Sequence, residues 1–339
     1  MKKSLINYAV IPAVISVISV LLLLFAGGIS AGILDRLNDK YMPLYMAGER
    51  GVSSPWYKDG FHIVDEAFID ELKEIKAYDK NVISIGSSLS VISFRQDTAD
   101  ADSDYSYRFL TCGNGCYKSD KQMYNLYKAY GAEHPDDIIK LEVSWSTFRD
   151  MERTITQAAV KKWRRFDILE DDSVVAMGWP FTAVSHVNEA LIKIQNVLEL
   201  VQDYLDKSRT AEENGQPVIP GNFVNNYFNY DTVAGNCNMT TEMQNELTAL
   251  IDTISNEHIL TVEISPIPEG LAKTGYGRKF CGYIDEILIP GLEEKGISYY
   301  DYRYDFRDED FIDGVHLGYE PGAKYTKMVM DDLKEFSSK

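Results

Sequence analysis

Two short segments, far apart in the sequence, carry the residue types of nucleophilic catalysis. Gly86-Ser87-Ser88 follows the β-branched run NVISI, while Asp313 and His316 stand three residues apart in the turn-rich segment DEDFIDGVHLGYEPG. A serine hydroxyl becomes a strong nucleophile when a histidine takes its proton, and a carboxylate fixes the tautomer and orientation of that histidine. The pattern predicts Ser88 as nucleophile, His316 as general base and Asp313 as its orienting carboxylate.

The position of Ser88 supports this interpretation. In parallel α/β sheets, ligands bind beyond the carboxyl ends of the strands, and Ser88 follows a predicted strand directly. The glycine before it permits a sharp turn, and amides at the start of a helix donate to a developing negative charge. Each segment alone has a structural alternative, since strand-Gly-Ser turns are common and Asp-x-x-His is typical of surface loops. Their joint occurrence favours catalysis.

Helical and strand patterns alternate around these segments. Strands are predicted in NVISIG, YRFLTC, DIIKLEVSW, ILTVEIS and ISYYDYR, and helices in VDEAFIDELKEIKAY, KQMYNLYKAYG, TEMQNELTALIDTISNEH and YIDEILIPGLEEKG. Apolar strands separated by helices are typical of a parallel sheet that is covered on both faces. The sequence therefore predicts an α/β fold with a doubly wound, mostly parallel sheet in three α/β/α layers.

The N-terminal segment differs in composition from the rest. After Lys2 and Lys3, residues 4–34 carry no charge, and a helix of roughly 20 apolar residues crosses the hydrocarbon core. The lysines place the N-terminus in the cytoplasm, so residues 1–34 are predicted to be a single-pass cell-membrane anchor with the catalytic domain outside the cytoplasm. A cleaved signal peptide is the alternative, because GISAG offers small residues, although its apolar region normally spans only about 7–15 residues.

The remaining chain divides into a linker and one large domain. Residues 35–62 contain the Gly-, Pro- and Ser-bearing segment GERGVSSPWYKDG and are predicted to be a linker, and residues 63–339 form the domain. The alternation of strands and helices breaks between about 146 and 235. A structureless loop of that length is improbable in a compact domain, so a mainly helical insertion is expected there.

Charge excludes one class of partner. Asp and Glu number 52 against 34 Lys and Arg, which gives a formal net charge of −18, whereas nucleic-acid binding depends on clustered basic residues. The cluster KKWRR at 161–165 is a local exception. It fits either a solvated helix face or contact with anionic lipid headgroups or a polyanionic polymer.

The cysteines and histidines have several interpretations. Outside the cytoplasm, Cys112 can pair with Cys116 and Cys237 with Cys281, although four cysteines allow three connectivities. A zinc site is the alternative, but the spacing lacks the paired C-x-x-C or nearby histidines of such sites. Single histidines elsewhere are best explained by surface or core packing: His62, His134, His186 and His258. No metal or cofactor is predicted.

The sequence resembles the SGNH, or GDSL-like, hydrolase superfamily. Gly86-Ser87-Ser88-Leu89-Ser90 after the first strand and Asp313-Gly314-Val315-His316-Leu317-Gly318 near the C-terminus resemble its first and last blocks, in the same order. Ser87 in place of the Asp of Gly-Asp-Ser, the N-terminal anchor and the His-Leu-Gly ending most resemble DltD, the D-alanyl transfer proteins of lipoteichoic acid modification, and related partners of membrane-bound O-acyltransferases. The resemblance covers roughly residues 64–145 and 259–333.

This resemblance implies roles for particular residues. Ser88, His316 and Asp313 take the triad positions, and the oxyanion hole combines the Ser88 amide with a glycine amide after the second strand, from Gly113 or Gly115, beside Asn114. The third block of the superfamily, Gly-x-Asn-Asp, is absent from VSWSTF. Its asparagine donor is therefore missing or replaced by Asn114.

Three functions follow from these observations. The first is an acyl-enzyme mechanism in which Ser88 receives an acyl group from a membrane-bound O-acyltransferase or similar donor and passes it to an envelope polymer, as in teichoic acid D-alanylation or polysaccharide O-acylation. The second is an esterase that removes O-acetyl groups from envelope polysaccharide, with water as the acceptor. The third, motivated by the absent third block, is a non-catalytic scaffold module of the same fold.

Overall fold

A computed structural model describes more than half of the chain, 193 of its 339 residues. The described residues are 14–33, 36, 80–89, 93–94, 105–110, 116–130, 136–149, 166–176, several helical positions between 184 and 198, 230–235, 237–311 and 315–337. The linker predicted at 35–62, apart from Arg36, and the helix predicted to begin at Val64 lie outside them.

Five strands form one parallel sheet. They are β1 (Lys80–Ile85), β2 (Tyr105–Leu110), β3 (Ile138–Val143), β6 (Ile259–Ile264) and β7 (Ser298–Asp301), in the spatial order β2-β1-β3-β6-β7. Every neighbouring pair is parallel. The chain thus steps outward from β1 to β2 and then returns to the other side of β1, so the order reverses between β1 and β3. The predicted α/β class and parallel sheet are confirmed.

Helices connect β2 to β3, β3 to β6 and β6 to β7, as the alternating pattern predicts, and others lie before β1 and after β7. They are α1 (Val14–Ile33), α2 (Tyr117–Tyr130), α3 (Tyr230–Gly235), α4 (Thr241–Glu257), α5 (Glu269–Ala272), α6 (Gly275–Tyr283), α7 (Ile289–Glu294) and α8 (Tyr319–Ser337). A π-helical turn at Ile284–Leu288 joins α6 to α7. The Thr240 hydroxyl caps α4 by accepting a hydrogen bond from the Met243 amide at 3.2 Å, because the first helical amides have no partner within the helix.

The larger hydrophobic core covers one face of the sheet. It contains Ile83, Ile139 and Val262 from three strands, with Leu126 of α2 and Leu247 of α4 packed among them. Alternate strand residues point to opposite faces. This core therefore takes one residue in two from each central strand, and it fixes α2 and α4 against the sheet.

A second core forms from the intervening strand residues. Val82 and Ile138 belong to it, together with Tyr325, Val329 and Leu333 of α8. The final helix is thereby held against the sheet beside β1 and β3. The segment that carries His316 leads directly into this helix, so packing of α8 determines where that histidine lies.

The insertion contains a hairpin that the sequence did not predict. Strands β4 (Phe166–Ile168) and β5 (Val174–Ala176) pair antiparallel around a turn in which Asp172 has a φ of 64°. Aspartate tolerates this left-handed conformation better than most residues. The Asp172 carboxylate also accepts from Gln122 Nε2 at 2.7 Å, which fastens the hairpin to α2. Strands of three residues are too short to show a period-two pattern.

The apolar N-terminal helix α1 is long enough to cross a membrane. It has 20 residues, and an 18-residue stretch of it has a mean hydropathy of 2.5 and is only 11% buried. One described contact joins it to the insertion: a Cβ added at Gly27 would lie 2.5 Å from Ala190 Cβ. Glycine at this position therefore permits the close approach of the two helices.

Candidate active site

Ser88 lies at the start of a helical turn beyond the carboxyl end of β1. Ser87 is the N-cap of this turn, since its hydroxyl oxygen accepts from the Leu89 amide at 3.1 Å, and the Ser93 amide donates to the Leu89 carbonyl at 3.1 Å. Ser88 is the first helical residue and is partly exposed. It stands beside the point where the strand order reverses, the usual ligand position in sheets of this type.

His316 lies beside Ser88. Its Nε2 atom is 3.0 Å from Ser88 Oγ, although the two residues are separated by 228 positions in the sequence. This distance lies within the range over which a general base takes a proton from a nucleophile. The structure therefore brings together two of the three predicted triad residues.

The segment around His316 is fastened on both sides. Phe311 and Leu317 form an isolated antiparallel bridge, and the Gly318 amide donates to the Asp310 carbonyl at 2.8 Å. Val315 and Leu317 are buried, while His316 between them is partly exposed. The buried side chains of Val315 and Leu317 thus anchor the segment in the core, while the His316 imidazole stays partly exposed at the site.

Ser93 is a site residue that sequence reasoning missed. Its hydroxyl oxygen accepts from the Leu317 amide at 3.0 Å, so the turn that begins at Ser88 is tied to the residue after His316. Ser93 is buried, with 3% of its surface exposed. A serine five residues after the nucleophile gives no sequence signal of this role, because its partner lies more than 200 residues away.

Glu142 is the second residue that was missed. It lies near the end of β3, next to β1, and its two carboxylate oxygens accept from the Ser87 hydroxyl at 2.7 Å and the Ser87 amide at 2.9 Å. A signal was present: Lys140 and Glu142 are charged positions in the strand IIKLEV, and buried parallel strands are normally continuous apolar runs.

The other predicted site residues lie outside the described part of the chain. This holds for Asp313, which falls between the bridged residues Phe311 and Leu317, and for Gly113, Asn114 and Gly115 before α2. The orienting carboxylate and these oxyanion donors remain predictions.

One predicted oxyanion donor, the Ser88 amide, is described. The Ser87 amide donates to Glu142 and the Leu89 amide to the Ser87 hydroxyl, whereas the Ser88 amide has no hydrogen-bond partner within the described residues.

The segment VSWSTF presents no side-chain amide at the end of β3. Residues Trp145–Phe148 form a 3₁₀ turn in which all four residues are buried. The Ser144 amide donates to Thr147 Oγ1 at 2.9 Å, and the Ser144 and Ser146 hydroxyls lie 2.9 Å apart. The Ser144 amide and the hydroxyls of Ser144, Ser146 and Thr147 are thus bonded within this turn.

The disulfide predictions require correction. Cys116, Cys237 and Cys281 are not in disulfide bonds in the structure, so the predicted Cys237–Cys281 bridge is not formed; Cys112, the predicted partner of Cys116, lies outside the described residues. The Cys116 thiol is buried, with Sγ 3.6 Å from Ser119 Oγ. The Cys237 thiol points to the Trp145 carbonyl at 3.8 Å, and burial raises its pKa to about 11. These thiols are directed at local acceptors rather than at each other.

Two buried groups have special surroundings: Asp120 near the site, and His258 at the amino end of β6. Asp120, in the first turn of α2, is fully buried, and its pKa is raised well above the usual range by burial and by the nearby Glu142. His258 is buried between Tyr124 and Tyr127, with ring centroids 5.9 and 5.7 Å away, which agrees with the packing role predicted for it. In the described part of the chain, no three His, Cys, Asp or Glu side chains converge as metal ligands would.

A cleft of about 620 Å³ lies at the amino ends of β6 and β7, the opposite end of the sheet from Ser88, and it takes no part in the site.

Comparison of this chain with protein-family models, curated proteins and solved structures gives no significant match. The chemistry is therefore inferred from the Ser88 and His316 geometry itself. A serine hydroxyl at this distance from an imidazole is suited to attack on an ester or thioester carbonyl.

Proposed function

We propose that this protein is a membrane-anchored serine acyltransferase or esterase of the SGNH type that acts on cell-envelope polymers outside the cytoplasm. The observation that carries the proposal is the 3.0 Å separation of His316 Nε2 and Ser88 Oγ. The strand order supports it as well, since β2-β1-β3-β6-β7 is the order of flavodoxin-like doubly wound sheets, and the two cores on opposite faces support three α/β/α layers.

The proposed mechanism has two half-reactions. His316 takes the Ser88 proton as Ser88 Oγ attacks the donor carbonyl, and the collapse of the tetrahedral intermediate expels the donor's leaving group with that proton. A hydroxyl of the polymer, or water, then loses its proton to His316 and attacks the acyl-serine carbonyl, which returns Ser88 to its hydroxyl form. Asp313 orients the imidazole, and the Ser88 amide, with Gly113 or Gly115 and Asn114, stabilises the oxyanion.

The apolar helix α1 motivates the choice of an envelope substrate. Tethering keeps the active site near lipid-linked donors and acceptors and so raises their effective concentration. In this proposal a membrane-bound O-acyltransferase supplies the acyl group, as for the D-alanyl transfer proteins of teichoic acid modification. Transfer predicts dependence on that partner, whereas acetate release by the purified domain at a useful rate would favour the esterase.

Hydrolysis of p-nitrophenyl acetate tests the proposal. Ser88→Ala and His316→Ala should each lower kcat/KM by roughly 10⁴-fold or more, because each residue is needed for the same covalent step. The control is Ser255→Ala, which changes a serine at the distant cleft. Wild-type activity in both active-site variants would contradict catalysis. A wild-type envelope phenotype in the double variant Ser88→Ala/His316→Ala would indicate the scaffold module instead.

A further inference from the structure

We infer that Glu142 is a positioning residue: its buried carboxylate fixes the turn that presents the Ser88 hydroxyl to His316. This inference rests on the function proposed above. Both oxygens of the Glu142 carboxylate face the residue before the nucleophile, with Oε1 accepting from Ser87 Oγ at 2.7 Å and Oε2 from Ser87 N at 2.9 Å. Hydrogen bonds to an ionised acceptor are stronger than neutral ones.

The Ser87 hydroxyl also fixes the amide that follows Ser88, because it accepts a hydrogen bond from Leu89. It has one proton, and because that proton is donated to Glu142, its lone pairs are available to the Leu89 amide at 3.1 Å. The amides on both sides of Ser88 are thus fixed through a single carboxylate. The Ser88 amide, between them, is left for a developing oxyanion.

Burial makes the presence of a carboxylate here informative. Glu142 is 1% exposed, and an apolar residue would fill the same space without the cost of desolvating a charge. The buried cation on the same strand, Lys140, forms its ion pair with Glu263 of β6. The donors that reach Glu142 at 2.7 and 2.9 Å instead come from the nucleophile turn.

The neighbouring strand supplies a matched control. Glu263 is the register partner of Glu142 across β3 and β6 and is equally buried at 1% exposure. Its carboxylate accepts from Lys140 and from the Tyr325 hydroxyl rather than from the Ser88 turn. Changes at 142 and 263 therefore disturb the same layer of the core but differ in their connection to Ser88.

The experiment measures the covalent labelling of Ser88 by a fluorophosphonate in the full-length protein, with the rate constant at saturation separated from the apparent binding constant. Thermal unfolding of each variant reports its folding. We expect Glu142→Gln and Ser87→Ala each to lower the saturating rate roughly 10-fold or more, with little change in probe binding, since a charge-assisted hydrogen bond is lost in each. Because both variants disturb the hydrogen bond between the Ser87 hydroxyl and Glu142, the rate loss of the double variant should be smaller than the product of the two single losses.

Glu263→Gln should lower the unfolding temperature and leave the saturating rate within about twofold of wild type. Wild-type rates in folded Glu142→Gln and Ser87→Ala, or two reductions that multiply in the double variant, would overturn the inference while leaving the proposed function intact. An equal rate loss in Glu263→Gln would also overturn it, by assigning the effect to core destabilisation. If Glu142→Gln does not fold, Ser87→Ala alone decides. Absence of labelling in the wild-type protein overturns the proposed function, and this inference with it.

Discussion

At the residue scale, the position of the imidazole depends on side chains that take no part in the reaction. Ser93 joins the nucleophile turn to the amide of Leu317, next to His316. Loss of this hydrogen bond costs about 1 kcal/mol, and His316 should then spend more time away from Ser88.

Ser93→Ala is accordingly expected to lower kcat for ester hydrolysis about fivefold, with KM nearly unchanged. Thr326→Ala is the control, because it removes a buried hydroxyl that donates within α8 to the Gly322 carbonyl at 2.9 Å. It should affect unfolding temperature only. A kcat for Ser93→Ala equal to that of wild type would show that the Leu317 contact does not place the histidine.

Asp120 predicts a pH dependence of stability. Burial and the nearby Glu142 raise its folded-state pKa well above that of the unfolded chain, which is about 3.9. The folded state therefore binds the proton more tightly, so this group's contribution to stability is full below about pH 3.9 and is lost as pH rises towards the folded-state pKa. Asp120→Asn removes the titration.

We expect the free energy of unfolding of Asp120→Asn to exceed that of wild type by more at pH 8 than at pH 5. The difference should grow by ~1.4 kcal/mol for each pH unit between 5 and 8 that lies below the folded-state pKa of Asp120. Urea unfolding at the two values measures it. The exposed carboxyl of Glu246 offers the control Glu246→Gln. Identical pH profiles for wild type and Asp120→Asn would rule out the raised pKa.

At the scale of elements, buried polar contacts join β3, β6 and α8. Lys140 and Glu263 form an ion pair with side-chain exposures of 2% and 1%, and the Tyr325 hydroxyl of α8 also donates to Glu263. Breaking a buried pair by removing one charge costs about 3–5 kcal/mol, whereas replacing both partners costs far less.

Lys140→Met should therefore lower the free energy of unfolding by about 3–5 kcal/mol in urea titration. Adding Glu263→Gln should restore most of that loss, because the amide oxygen still accepts from Tyr325 without carrying a charge. A double variant less stable than Lys140→Met would mean that the carboxylate stabilises the fold independently of the lysine.

Elements of this protein differ in how far the sequence predicts them. The runs that became β1, β3 and β6 and the amphipathic pattern of α4 are long and regular, and the structure confirms them. The β4–β5 hairpin is too short to leave a pattern, and whether Cys237 and Cys281 form a disulfide depends on where the fold places them. Residue types and strand position predicted Ser88 and His316 as partners, but Ser93 and Glu142 depend on contacts across the sheet.

At the scale of the whole molecule, the sheet order brings distant parts of the chain together beyond the carboxyl ends of β1 and β3. The turn after β1, the end of β3 and the segment before α8 meet there because β1 and β3 are neighbours and α8 packs against both. Helix α1 approaches the rest of the chain where Gly27 lies against Ala190. In the proposed function, the carboxyl end of the sheet lies near the membrane surface.

The most direct measurement is peptide-mapped mass spectrometry of the full-length protein after fluorophosphonate treatment. We expect one phosphonylated residue, Ser88, in wild type and no adduct in Ser88→Ala. Labelling of His316→Ala should be slowed at least 100-fold, since the hydroxyl then lacks its base. Thermal unfolding of both variants confirms that they are folded. An adduct on another residue, or an unmodified wild-type protein under conditions that label a serine esterase, would contradict the assignment of Ser88 as the nucleophile.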